Sequence, residues 1–205
     1  YKAFIKQVTS YLRQGSDLYD EMDVLIIQDG GCAPGYNPVT AFISEYLEKA
    51  SRRVFIAAEG FKSVVSNQVS DYRCLIYSKD RFNQMDHIPG VIFSPPLRQE
   101  RGAEFRSERY REFKDVSIQK TASKNIVDRK VRVLIGIGGN GTFAGINALS
   151  KILPKHIQTF FIPVTIDSDV SGSACIGEYT GVEVGAEKIR CYMADARTHH
   201  RCYII

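Results

Sequence analysis

Val131-Arg132-Val133-Leu134-Ile135-Gly136-Ile137-Gly138-Gly139-Asn140-Gly141-Thr142 is the stretch that decides the fold. Its first seven residues form a short apolar, β-branched run, nearly continuous, as in a strand covered on both faces. Glycines then break the strand, and a helix follows to about residue 153. A buried strand that passes through a glycine turn into a helix is one repeat of a parallel sheet.

Outward from it the same grammar recurs. Toward the N-terminus, Val24-Leu25-Ile26-Ile27 is another buried strand, running into Gly30-Gly31-Cys32-Ala33-Pro34-Gly35-Tyr36-Asn37-Pro38. Asn37 before Pro38 predicts a helix start, with Asn as N-cap and Pro at the first helical position. That helix runs to about residue 50, with Val39, Phe42, Ile43, Tyr46 and Leu47 inward. Strands are predicted over 54–58 and, more weakly supported, 91–93. Toward the C-terminus a strand over 159–164 ends in Thr165-Ile166-Asp167-Ser168-Asp169, a helix follows over about 181–196, and a last strand begins over 201–205. The expectation is an α/β fold, a mostly parallel sheet with helices on both faces. Residues 1–21, with Phe4, Ile5, Val8, Tyr11 and Leu12 at helical spacing, are a helical extension outside the α/β domain of 22–205. The chain opens without Met and closes on what looks like mid-strand, so it is expected to be part of a longer protein.

Composition narrows the function. With 44% hydrophobic and 24% charged residues, this is the make-up of a folded globular chain, not a disordered one. Nothing approaches the roughly 18–20 uninterrupted apolar residues of a membrane span, and 1–13 lacks the apolar core of a signal peptide. A net charge of +4, without a basic cluster, does not call for nucleic acid. Five scattered cysteines lack the spacing of a zinc site or a disulfide framework, so free thiols in a reducing cytoplasm are expected.

In parallel sheets ligands lie beyond the carboxyl ends of the strands, and three polar loops fall there. The Gly138–Thr142 loop can offer helix-start N–H groups to phosphate oxygens, or it can be a tight turn allowing close strand–helix packing; it is not a Walker A loop, having no G-K-[ST]. Gly30 to Asn37 has the same two readings, and paired with the first it could hold a polyphosphate from two sides. Asp167 and Asp169, two apart, would face one side of an extended chain; they serve either acid–base and metal chemistry or simply cap a turn. In residues 97–114, Arg106, Arg109 and Arg111 alternate with glutamates and read mainly as a solvated helix face. Arg98 and Arg101 follow the 91–93 strand closely and are kept as phosphate contacts. Thr198-His199-His200-Arg201 is a poor metal site, because adjacent side chains diverge.

Together the three loops resemble those of the phosphofructokinase family, which carries G-G-D-x-P-G-x-N, G-G-D-G-[ST] and P-x-T-I-D-x-D in that order. Here they stand as Gly30 to Asn37, Gly138 to Thr142 and Pro163 to Asp169, and Thr198 to Arg201 resembles the family's S-x-x-R. The resemblance runs from about 22 to 205. It implies a Rossmann-like, phosphofructokinase-type domain of a cytoplasmic glycolytic kinase, allosteric and homo-oligomeric (dimer or tetramer), with ATP as donor and Mg²⁺ as cofactor. The reaction implied is phosphoryl transfer to the 1-hydroxyl of fructose 6-phosphate. The residues carried over are Asp167 as base and Asp169 beside it. Gly31, Gly139, Asn140, Gly141 and Thr142 fall on the donor, with Arg98 or Arg101. Thr165, Ile166, Asp167 and Arg201 fall on the sugar phosphate, and Asn140 and Asp169 on the metal. Two departures stand out: Cys32 and Asn140 replace family aspartates. Gly141 and Val164 occupy positions that pyrophosphate-using members usually fill with Asp and Lys, which favours ATP. The alternatives are a pyrophosphate-dependent enzyme and a regulatory, non-catalytic subunit. A NAD or lipid kinase is disfavoured by the T-I-D-x-D loop.

Overall fold

The computed structural model describes residues 18–204. The two strands anticipated as buried form the centre: β1 (Val24–Asp29) pairs in parallel with β5 (Val133–Gly138), in a register that sets Asp29 opposite Gly138. Beside β1 lie β2 (Val54–Ala57), β3 (Tyr72–Ile76) and β4 (Val91–Phe93); beside β5 lie β6 (Gln158–Thr165) and the short β7 (Ile176–Gly177). The order is β4-β3-β2-β1-β5-β6-β7, parallel throughout except for β2 with β3.

Alternate residues of β1 feed two cores. Val24 and Ile26 pack with Tyr36, Ala41 and Ile43 of α1 (Tyr36–Lys49). Leu25 and Ile27 pack with Phe61 and Val64 of α2 (Phe61–Ser66), Ala122 and Ile126 of α4 (Val116–Asp128), and Ile146 and Leu149 of α5 (Asn140–Ile152). α3 (Lys79–Met85) precedes β4, and α6 (Glu178–His199) closes the described chain. Burial on both faces is what made β1 and β5 legible as continuous apolar runs.

Several expectations shift. β3, its antiparallel pairing, β7, and the helices α2, α3 and α4 had no forecast. The N-cap of α1 is Gly35, not Asn37, and α1 turns Phe42 (62% exposed) and Tyr46 (67%) to solvent. The strand expected over 201–205 is not formed in 201–204. Instead His200 takes a left-handed conformation and the Arg201 N–H returns to Ala196 O at 3.2 Å. The extension falls outside the described residues up to 17, but Tyr19, assigned to it, is buried in the core.

Candidate active site

The chain runs from β1 out to β4 and then returns to the other side of β1 as β5, so the sheet's switch point lies between β1 and β5. Two diverging connections leave a crevice at such a point. Here it is a cleft of about 640 Å³, lined by both glycine loops and by Thr165, Ile166, Asp167 and Asp169.

The two loops are tied together beneath the cleft. Thr142 is buried and its hydroxyl donates to Asp29 O at 2.9 Å, while Tyr36 Oη donates to the same carbonyl at 2.9 Å. Gly138 makes this possible, since a Cβ there would stand 2.6 Å from Asp29 O. The Thr142 hydroxyl proton is therefore used internally, and what the turn can offer a ligand is its backbone. α5 begins at Asn140 with Gly139 as N-cap and no side-chain cap. Its first N–H groups have no intrahelical partner, an arrangement suited to phosphate oxygens. A Cβ on Gly141 would meet nothing within 4 Å, so the space in front of it is open.

Opposite lies the 166–170 loop. It is bent, not extended, and Ser168 has φ 52°. The alternation argued from sequence therefore does not apply, yet Asp167 and Asp169 both line the cleft. The Asp167 N–H donates to Thr165 Oγ1 at 3.2 Å. Asp169 Oδ2 accepts from Asn140 Nδ2 at 2.7 Å, and a weaker bond reaches Asp169 O at 3.3 Å.

The cations facing the cleft are not those singled out from sequence. Arg98 pairs with Glu45 and lies 5.2 Å over the Tyr77 ring, outside the cleft. Arg101 is exposed and also outside it. Arg109, Arg111 and Lys114 line it instead, with Arg109 Nη2 3.3 Å from where a Gly31 Cβ would be. They were hidden by alternating glutamates, but residues 100–110 form no helix. Glu108 pairs with Lys62 at 2.8 Å and Arg106 with Glu59 at 3.3 Å, which leaves Arg109 turned inward. An aromatic end completes the cleft. Phe61 stacks on Phe113 at 4.1 Å and lies so close to Gly145 that a Cβ there would overlap its ring. Arg201 is at the end of α6, 3.2 Å from Asp195, away from the cleft.

Asp29 was also missed. The residue is 7% exposed, its Oδ1 has no hydrogen-bond partner, and burial pushes its pKa up to about 7. The Phe61 N–H offsets this in part, and nearby Glu108 adds to it.

Among the described residues no three His, Cys, Asp or Glu side chains converge to hold a metal ion. Mg²⁺ commonly takes one or two protein carboxylates and completes its octahedron with phosphate and water. Asp167, Asp169 and the Asn140 amide oxygen fit an ion that arrives on a polyphosphate.

An open, mostly parallel sheet whose switch point carries two glycine turns facing a carboxylate pair defines the class: an α/β protein of the doubly wound kind, with a polar cleft at the carboxyl ends of its central strands. Residues 23–205 match the family model for phosphofructokinase, and the chain belongs to that family. It is 30% identical over 182 residues to an ATP-dependent 6-phosphofructokinase of Yersinia pestis (strain Pestoides F), covering 88% of this chain and 50% of the relative. It is 25% identical over 183 residues to a probable ATP-dependent 6-phosphofructokinase of Mycoplasma pneumoniae, covering 89% and 50%. The chain thus spans about half the length of these curated relatives. Among solved structures, phosphofructokinase from Saccharomyces cerevisiae superposes with a TM-score of 0.68 at 22% identity, over 88% of this chain and 25% of that one. A pyrophosphate-dependent phosphofructokinase from Nitrosospira multiformis superposes at 0.56 and 16%, over 78% and 37%. At these identities the superpositions establish the fold alone. No helix among the described residues is long and apolar enough to cross a membrane.

Proposed function

We propose that this chain is the donor-binding part of a cytoplasmic, homo-oligomeric 6-phosphofructokinase of glycolysis, transferring phosphoryl from ATP to the 1-hydroxyl of fructose 6-phosphate. One observation carries it: the α5 N-terminus and the carboxylates of Asp167 and Asp169 face each other across the same switch-point cleft. The N–H groups of Asn140 and Gly141, together with Gly31 and Arg109, would hold the donor phosphates. Phe113 and Gly145 would border the base, and Thr165 and Ile166 the sugar phosphate. Asp167 would take the proton from the 1-hydroxyl as its oxygen bonds to the terminal phosphorus and the bond to the departing ADP oxygen breaks. Asn140 and Asp169 would hold Mg²⁺ together with the donor phosphates, and the ion would supply charge neutralisation there. The open space before Gly141 favours ATP over pyrophosphate, because a longer donor needs it.

The test is formation of fructose 1,6-bisphosphate by the full-length protein with Mg²⁺, with ATP and separately with pyrophosphate. ATP-only turnover supports this reading, and turnover with pyrophosphate overturns the donor assignment. Asp167→Asn is expected to lower kcat by about 10²–10⁴-fold with little change in donor KM; unchanged kcat would refute the base. A second reading, a regulatory subunit that binds nucleotide without turnover, is favoured by Cys32 and by the Asn140 amide standing where family members carry acids. Donor binding without product from either donor would select it.

A further inference from the structure

Asp29 ends β1 at the point where the chain enters the first glycine loop, and its two polar groups meet different surroundings. Its carbonyl oxygen accepts the hydroxyl protons of Thr142 and Tyr36 and so holds α5 and α1 to the floor of the cleft. Its carboxyl lies against Gly60, where a Cβ would stand 2.6 Å from Oδ1, and Oδ1 is buried without a hydrogen-bond partner. The cations nearby are engaged elsewhere or exposed. Lys62 pairs with Glu59 and Glu108, Arg109 is turned to Gly31, and Arg111 and Lys114 line the cleft as exposed side chains. The acids oppose a further negative charge: Glu108 acts on Asp29 directly, and Asp167 and Asp169 line the opposite wall. From α2 the Phe61 N–H compensates in part. Tyr36 stays a neutral donor, its ionisation opposed first by burial and then by Asp29 itself. The neighbours from α5 and β5 are Thr142 and Gly138, neither of which titrates, and the Cys32 thiol lines the same cleft. We infer that Asp29 is a proton-uptake site for donor binding: the donor enters the cleft as the Asp29 carboxyl takes a proton from solvent, so donor affinity falls as pH rises. This rests on the reading of the cleft as a donor site.

Two effects of a bound donor act on this carboxyl with the same sign. Filling the cleft excludes water from Asp29, which penalises its charged form. The donor's phosphates keep a net negative charge even with Mg²⁺ on them, and a like charge penalises that form again. Burial, with Glu108 in support, already sets the titration of the free protein at about 7. Around pH 7 about half of the free molecules are therefore ionised at this site. A group that holds its proton more tightly in the complex than in the free protein makes binding proton-linked, and the linkage is reciprocal. A hydroxyl or an amide at this position would exchange no proton.

The experiment uses the full-length protein and counts protons, not turnover. A non-hydrolysable ATP analogue with Mg²⁺ is titrated calorimetrically, without sugar phosphate, in two buffers of different ionisation enthalpy. The difference in heat gives the protons exchanged, and comparison with Asp29→Asn removes those of the analogue and of Cys32. At pH 7 the wild type is expected to take up roughly a third to a half of a proton more than Asp29→Asn. Its Kd is expected to weaken about five- to tenfold more than that of the variant between pH 6 and 8. Equal proton uptake by the two proteins would overturn the inference, and so would net release by the wild type relative to the variant. Should Asp29→Asn not fold, Asp29→Ser takes its place. Should neither fold, Glu108→Gln decides, since Glu108 is half-exposed and its removal is expected to move the pH of greatest uptake downward. An unmoved maximum there would count against Asp29 as the site. Failure of the donor reading itself looks different: no variant would bind the analogue at any pH.

Discussion

Asp29 ends the central strand with a carboxyl that burial keeps from ionising at its ordinary 3.8 and moves up to about 7. The folded chain holds this proton more tightly than the unfolded chain does. Its stabilising contribution is therefore full below about pH 4 and is lost as pH rises through 7. The size is at most roughly 4 kcal/mol. Asp29→Asn is expected to remove this slope, so that between pH 4 and 8 urea denaturation of the variant shows a flatter dependence than the wild type. Parallel curves would mean that Asp29 is already ionised at pH 4. Arg109 and Arg98 offer a second test at this scale, because they exchange the roles that the sequence assigns them. Arg109→Ala is expected to raise donor KM by about tenfold or more, the loss of one charge-assisted contact. Arg98→Ala should leave donor KM unchanged, since its partners are Glu45 and Tyr77. The reverse pattern would restore the sequence-based assignment.

At the scale of elements, α1 shows why periodicity named the right helix and the wrong face. Its buried side includes Asn37, Thr40 and Ser44, polar residues that a hydrophobic count sends outward. Each finds a partner from a distant segment. Asn37 Oδ1 accepts from the Glu104 N–H at 2.8 Å, Thr40 Oγ1 accepts from Gln28 Nε2 at 2.7 Å, and Ser44 and Ser94 hydroxyls lie 2.6 Å apart. Buried polar groups are tolerated only when satisfied in this way, and their partners are set by the sheet. Phe42 and Tyr46 then stack on each other at 6.5 Å on the outer face. Thr40→Val keeps the shape and deletes the acceptor, so a loss of about 1–2 kcal/mol is expected in urea denaturation. No loss would mean that Gln28 docks α1 through Tyr36 O alone. β3 escaped notice for a related reason: Arg73 interrupts a run too short to carry a clear period.

Across the whole molecule, Arg129 braces three segments far apart in the chain. Its Nε and Nη2 donate to Asn67 Oδ1 and O, both at 2.9 Å, and Nη1 to Tyr19 O at 3.0 Å, while the guanidinium lies 5.6 Å from the Tyr72 ring centre. Tyr19 in turn stacks edge-on against Phe55 and donates to Pro89 O at 2.9 Å. A lysine cannot reproduce this planar fork. Arg129→Lys is expected to cost about 2–3 kcal/mol by thermal or urea denaturation. A change within about 0.5 kcal/mol, the range of ordinary surface substitutions, would show that the brace carries no load. The sequence alone determined the α/β class, the two central strands and the three loops at strand ends, because strand burial and glycine turns are local properties written in consecutive residues. It also named Asp167, Asp169, Gly139 and Gly141, which line the cleft. Only the tertiary structure decided which cations face that cleft, that Asp29 is buried without a partner for Oδ1, and that Asn140 reaches Asp169. Each of these joins segments that meet only when strand order brings β1, β5 and β6 side by side, and no period within a segment encodes that meeting.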